Sequence, residues 1–336
     1  MQITQSVLYN KLSCHKNDFL GICDFHDLQL FLKVGGRELE YQINKPIYYS
    51  FEIPKKKGGT RKIQSPNADL ISIQKKLNYY LQAVYLLVKP KEVHGFVIKP
   101  KDFELTHSIV TNASAHTNKK HLLNIDLKDF FPSISAKRVR HVLVKEVGLN
   151  DSQIADAIAL LCTYQKALPT GAPTSPVLAN FACLPMDKEL ASYCRLCDIT
   201  FTRYADDLSF SSNDYFTSDI IKCVRTIIEK HQFTINEKKF RLLSSKSKQV
   251  VTGITVNKKV NVDRTYIRNL RATLHHIRTC GIAEASNKHY TAENSDFLLQ
   301  AKLLHKLKGQ IDFVGQVRGK EDVFYLRLLD SIKSFH

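Results

Sequence analysis

Alternation of apolar and polar positions picks out the strands. In HLLNIDL, residues 121–127, Leu123, Ile125 and Leu127 fall on one face and Asn124 and Asp126 on the other, the period of two of a half-buried strand. An apolar strand from Ile47 to Ile53 runs into PKKKGGTRKIQSP, residues 54–66. Gly58-Gly59 marks a turn there between two strand-like pieces, which predicts a hairpin. DITFTRYADDLSFS, residues 198–211, predicts a second hairpin with Ala205-Asp206 near its tip. Helical patterns fill the intervals. Mixed-face helices occupy the first fifty residues, and others run from about Ala68 to Val88, Ala136 to Tyr164 and Ser218 to His231. A further helix opens at Ser175-Pro176, with Ser as N-cap and Pro at the first turn, and carries Leu178, Phe181 and Leu184. A strand-and-turn region reaches Asn261, and the last 75 residues are mostly helical. Strands alternating with helices, then helices alone, predict an α+β body with a helical C-terminal domain.

One C-terminal helix carries two distinct stripes. In DRTYIRNLRATLHHIRTC, residues 263–280, Arg264, Arg268, Arg271, His275 and Arg278 step by 4, 3, 4 and 3. Ile267, Leu270, Leu274 and Ile277 form a second stripe displaced by about a quarter turn. The apolar stripe is expected to pack on the body and the basic one to track phosphates, with Asp263 as N-cap.

Charge strengthens that expectation. The 336 residues hold 49 Lys and Arg against 32 Asp and Glu, a net charge of +17, which predicts a polyanionic partner. Five of the nine residues from Pro54 to Lys62 are basic, so part of the excess sits on the first hairpin. With 43% apolar and 24% charged residues, the chain has the balance of a folded protein. No apolar run approaches the ~20 residues that cross a bilayer, and MQITQSVLYNKLSCHKNDFL lacks a signal-peptide layout, so a cytoplasmic location without a membrane partner is expected. Eight scattered cysteines suit reduced thiols. Cys194 and Cys197 form one CxxC with no second pair at finger-like spacing, so buried core thiols are expected there rather than zinc.

Asp206 and Asp207 stand side by side at the tip of one hairpin, and Asp126 ends a separate strand. An Asp pair at a turn is ordinary turn chemistry when taken alone. Apolar strand pieces flank this pair, however, and like charges inside a large sheet are costly unless a cation compensates them. Three such carboxylates can hold two magnesium ions, which take oxygen ligands and clamp both oxygens of an in-line phosphoryl displacement.

At this point the sequence resembles a family. TFTRYADD resembles the catalytic box of reverse transcriptases, NIDLKDFFPSI (residues 124–134) their first carboxylate box, and GAPTSP (171–176) the loop-and-helix box between them. NASAH, residues 112–116, resembles the NAxxH element of bacterial retron reverse transcriptases, and Val251-Thr252-Gly253 their VTG element.

The resemblance implies a right-hand polymerase fold. Residues 1–105 would hold N-terminal helices and fingers, 106–261 the palm with fingers helices at about 136–165, and 262–336 the thumb. It implies that Asp126, Asp206 and Asp207 bind two Mg²⁺ ions (with Mn²⁺ as an alternative) and that Lys239 gives a proton to pyrophosphate, with Lys238 as fallback. Lys55 and Arg61 would grip the incoming triphosphate, together with the amides of Asp129 and Phe130. Phe131 would be the steric gate against a ribose 2′-hydroxyl. Thr170, where the family usually has Gln, would line the nucleotide site with Gly171. Asn112 and His116 would shape or contact template RNA, and the arginine stripe would follow the RNA–DNA duplex.

Implied partners are dNTPs, a cognate structured non-coding RNA and a retron effector protein, with host ribonuclease H removing template RNA. The implied product is single-stranded DNA, primed from a 2′-hydroxyl and branched to RNA, made in antiphage defence. Three rivals stand beside this reading: another bacterial reverse transcriptase lineage, a non-catalytic RNA-binding scaffold and a metal phosphohydrolase.

Overall fold

The computed structural model describes residues 5–55, 58–98, 107–291 and 297–333. The chain divides into two compact units, one of Met1–Ser108 with Leu123–Leu242 and one of Ile109–Leu122 with Leu243–His336.

The first unit opens with α1 (Gln5–Leu20), α2 (Phe25–Leu32) and α3 (Gly36–Asn44), then the hairpin of β1 (Tyr48–Pro54) and β2 (Thr60–Pro66). Their antiparallel register pairs Ile53 with Arg61. Next comes α4 (Ala68–Val88), opened by Asn67, whose side chain accepts from the Leu70 amide. Leu70, Ile73, Leu77, Leu81 and Val84 bury its inner face at helical spacing.

A four-stranded sheet follows, in the order β4-β5-β3-β6. Its strands are β3 (His121–Asp126), β4 (Thr200–Tyr204), β5 (Asp207–Ser212) and β6 (Arg241–Ser244). Strands β4 and β5 form the expected hairpin, pairing Tyr204 with Asp207 around Ala205-Asp206. Behind it lies α8 (Ser175–Leu196), which buries Leu178, Phe181 and Leu184, and α9 (Ser218–Lys230) buries Val224, Ile227 and Ile228.

Two local expectations need correction. The single helix expected over 136–164 is instead α6 (Ala136–Val142), a π-helical turn (Leu143–Val147) and α7 (Ser152–Cys162). Gly148 takes φ 94° and ends the first piece, and the Asp151 side chain caps the second by accepting from Ile154 N–H. Ser175 does not cap α8. Thr174 occupies that position, and Ser175 Oγ donates to the Pro169 carbonyl at 2.7 Å, fastening the preceding loop.

The second unit contains α5 (Ile109–Ser114), the short pair β7 (Val250–Val251) and β8 (Ile254–Thr255), and three helices, α10 (Arg264–Tyr290), α11 (Phe297–Arg318) and α12 (Val323–Lys333). Leu270, Leu274 and Ile277 are buried with Leu303, Leu307, Ile311, Leu328 and Ile332. The α10 helix breaks at Gly281 (φ 81°, ψ 164°), a conformation that glycine adopts without a Cβ penalty. No helix among the described residues is long and apolar enough to cross a membrane.

Candidate active site

The carboxylates converge because three chain segments are stitched together by backbone hydrogen bonds. Leu127 N–H donates to Asp206 O at 2.9 Å, and Asn236 N–H donates to Asp126 O at 2.8 Å. Asp126 is only 5% exposed, yet both its oxygens are satisfied. Asn236 Nδ2 donates to Oδ1 at 2.9 Å and Lys239 Nζ to Oδ2 at 2.6 Å. The short helical turn that carries Lys239 (Glu237–Lys239) is anchored by Glu237, which accepts from both Arg225 Nη atoms at 2.5 and 2.9 Å.

These charges act on one another. Burial raises the Asp206 carboxyl above its usual range, with Asp126 adding to the effect while Lys239 and Arg61 oppose it. Asp207 rises to about 7, through desolvation first and then the charges of Asp206 and Asp126. Burial works against the charge of Lys239, but Asp126, Asp206 and Asp207 outweigh it and hold the amine above its ordinary pKa. An all-oxygen donor set whose members repel one another, with a lysine as the nearest counter-charge, fits hard divalent cations such as Mg²⁺.

This coupling has a stability consequence. The folded Asp207 holds a proton between its usual 3.8 and about 7 that the unfolded chain has released, so the metal-free fold loses stability as pH rises through that window. Asp207→Asn removes the penalty. In chelator, its melting temperature is expected to exceed the wild type's at pH 8 and to approach it near pH 4. A melting difference independent of pH would contradict the coupling.

A shell that the motifs did not announce holds the Ala205-Asp206 turn. Arg203, fully buried, donates from Nε and Nη2 to Asp187 at 2.7 and 2.6 Å and from Nη1 to Asn180 Oδ1 and Ala205 O. Ala205 has φ 59°, so this carbonyl contact pins an unfavourable backbone beside Asp206. Residues 92–94 run alongside β4, with Arg203 N–H donating to Glu92 O and His94 N–H to Arg203 O. A Cβ on Gly95 would lie 2.3 Å from Ala205 N, so only glycine fits under the turn. Phe96 then packs 5.8 Å from Phe131. The lone signal in the sequence was HGF ahead of the first carboxylate box, too short to read by itself.

The other expected nucleotide-site residues lie in the same unit. Arg61 acts electrostatically on Asp206, whereas Lys55 is exposed at the end of β1. Thr170 O accepts from Gln64 N–H at 2.7 Å. A Cβ on Gly171 (φ 127°) would meet Ile63 and Gln64 at 2.9 and 3.0 Å, so this loop closes directly onto β2. Asp129 takes φ 48°, Phe130 is buried, and Phe131 is half-buried with its ring 5.4 Å from that of Phe130. Lys238 is exposed.

In the second unit, Arg264, Arg268, Arg271, His275 and Arg278 are exposed along α10 and line a groove of about 720 Å³. Arg327 and Ser331 of α12 complete it, and Ser331 Oγ accepts from Arg278. Arg327 was missed because nothing in the local pattern sets it beside α10. Asn112 and His116 are 0% and 1% exposed, so they belong to the interior of this unit and do not present a contact surface. There the VTG element meets the start of α5, the helix that leads into NAxxH, with Thr252 Oγ1 donating to Ile109 O at 3.0 Å.

Clustered carboxylates on adjoining strands of a sheet backed by helices, with a helical C-terminal unit, define the right-hand polymerase class. The chain belongs to the reverse transcriptase family: the description "Reverse transcriptase (RNA-dependent DNA polymerase)" matches residues 53–256, more than half of it. Its relatives place it among the bacterial retron reverse transcriptases. The retron Mx65 reverse transcriptase of Myxococcus xanthus is 33% identical over 74% of this chain and 61% of its own length. The retron Ec86 enzyme of Escherichia coli is 37% identical over 53% and 56%, and the Ec73 enzyme of the same species 32% over 61% and 67%. The chain thus spans only part of these relatives, 61% of the length of the Mx65 enzyme and 56% of the Ec86 enzyme.

Proposed function

We propose that this protein is the RNA-directed DNA polymerase of a retron, making single-stranded DNA on its own structured non-coding RNA. The observation that carries the reading is the meeting of Asp126, Asp206 and Asp207 around Lys239. Two Mg²⁺ ions, or Mn²⁺, held by these carboxylates would neutralise charge at the primer hydroxyl and the nucleotide phosphates.

The protein's own residues position the reactants. Lys55 and Arg61 bind the triphosphate, Arg with forked donors and Lys as a mobile point charge. The turn at Asp129 offers its own amide and that of Phe130, while Thr170 and Gly171 border the sugar. Lys239, kept protonated, brings charge and a proton to the leaving pyrophosphate. Arg264, Arg268, Arg271, His275 and Arg278, joined by Arg327, contact the phosphates of the RNA–DNA duplex. Asn112 and His116 support that unit from within. In this reading residues 1–105 supply N-terminal helices and fingers, 106–261 the palm and 262–336 the thumb, although residues 109–122 and 243–261 belong to the same compact unit as the thumb helices. Priming from a 2′-hydroxyl, a branched product, an effector partner, host ribonuclease H and a role in phage defence complete the proposal.

Phe131, braced by Phe96 and Phe130, is the gate. Phe131→Ala is expected to lower the preference for dNTPs over rNTPs by about 10- to 100-fold, the range for removal of a steric block. Single-nucleotide incorporation kinetics with both sugars check this, and unchanged discrimination would remove Phe131 from the role.

The proposal as a whole is tested by expressing the gene with its native flanking DNA, purifying the protein and sequencing bound nucleic acid beside an Asp206→Ala/Asp207→Ala control. Single-stranded DNA joined to a defined RNA in the wild type, and RNA alone in the variant, is the expected result. RNA without DNA in both, together with failure of the wild type to extend a supplied primer, would establish the scaffold reading instead.

A further inference from the structure

A cavity of about 440 Å³ in the first unit belongs to none of the machinery above. Helices α6, α8 and α9 border it, and its charged lining comprises Lys137, Arg138, His141, Glu146, Lys230 and His231. Lys230 and His231 are already engaged by Glu189, each at 2.8 Å. Arg138 is different. Its guanidinium lies 4.3 Å from the centroid of Phe233, and Nη2 donates to Ala182 O at 3.0 Å. Its Nη1 is buried and has no partner among the described residues. Arg138 is half-buried, and no carboxylate pairs with it among those residues. Burial accordingly pulls its pKa below the usual value. Lys137 and His141 stand exposed one residue before and three after it, so the mouth carries the Lys137 charge and an imidazole N–H, with Glu146 the only opposing carboxylate among the described lining residues.

A guanidinium without a carboxylate partner among the described residues, lining a cavity with a lysine at its mouth, is the chemistry that recognises a phosphate oxygen. We propose that this cavity is a phosphate-binding site, centred on Arg138 with Lys137 and His141 at its rim, that takes a backbone phosphate of bound RNA. The same chemistry would accept a free phosphate or pyrophosphate, so the test separates the two sources. The site uses no residue of the polymerase centre, and its test does not depend on polymerisation.

Two variants probe it. Arg138→Gln keeps a donor for the Ala182 carbonyl, and Lys137→Glu/His141→Glu alters only exposed side chains. Binding of a fluorescein-labelled RNA hairpin with single-stranded flanks is measured by anisotropy from 50 to 300 mM salt. Melting temperature is measured with and without 5 mM pyrophosphate.

For an RNA phosphate, both variants should bind the hairpin about fivefold or more weakly, and the salt slope should fall by about one for each phosphate no longer neutralised. Extension of a preannealed primer at saturating template should be unchanged. For a free anion, pyrophosphate should raise the wild-type melting temperature but not that of the variants, with RNA affinity unaltered. If both variants match the wild type in RNA affinity, salt slope and pyrophosphate response, the proposal is wrong. Should Arg138→Gln melt at a much lower temperature than wild type, the rim variant alone decides.

Discussion

Asp126→Asn is expected to lower DNA synthesis by about a thousandfold or more while leaving the protein folded. The carboxylate ends β3 within one hydrogen bond each of Asn236 and Lys239. Removing its charge weakens the proposed metal site, where each ~1.4 kcal/mol of transition-state stabilisation removed is tenfold in rate and such electrostatic groups are worth several kcal/mol. Stability should change little. Asn keeps an acceptor for Asn236, and the other partner is the Lys239 amine, 59% exposed, whose ion pair is screened by water. Primer-extension rates at saturating dNTP, with thermal melting as a control, test both halves. Lys239→Met separates the two partners: it also breaks the ion pair, but should cost less than Asp126→Asn because it leaves every carboxylate in place. Activity of Asp126→Asn within tenfold of wild type would refute the metal-binding role.

Asp187→Ala is expected to have the largest effect on stability, about 3–5 kcal/mol. Both side chains of the pair are 0% exposed, and the Arg203 guanidinium holds Asp187 through two bonds. Burial works against the charge on Arg203, but Asp187 outweighs it and keeps the guanidinium protonated. Deleting the carboxylate strands that charge in the core, so the melting temperature should fall by roughly 5–15 °C. The double variant Asp187→Leu/Arg203→Met separates packing from function. Replacing both charges with apolar groups should restore much of the stability, as removal of whole buried pairs often does. It should not restore synthesis, because the Ala205 carbonyl loses its donor and the strained turn before Asp206 is no longer held. Full activity in the double variant would show that Arg203 serves the fold alone.

The elements that local periodicity controls were legible from the chain alone. The two hairpins, the helix over 68–88 and the two-stripe helix after Asp263 follow from spacings of two and 3.6, which neighbouring residues set by themselves. The Asp pair and the earlier Asp were legible for the same reason, since strand ends and turns are local. Asparagine and glycine marks at 148–151 were also present, but the apolar pattern on either side masked the break between α6 and α7.

What the sequence by itself determined, then, is the ordered set of strands, turns and carboxylates, together with the family they belong to. Only the tertiary structure decided which distant groups touch. Lys239 reaches Asp126 across 113 residues. Gly95 lies under Ala205, Arg138 keeps a buried donor without a partner among the described residues, and Asn112 and His116 face inward, which suits the shaping role of the two their motif suggested. These outcomes depend on desolvation and close packing between segments far apart in the chain. Neither quantity is carried by residue type or spacing until the backbone has brought the segments together.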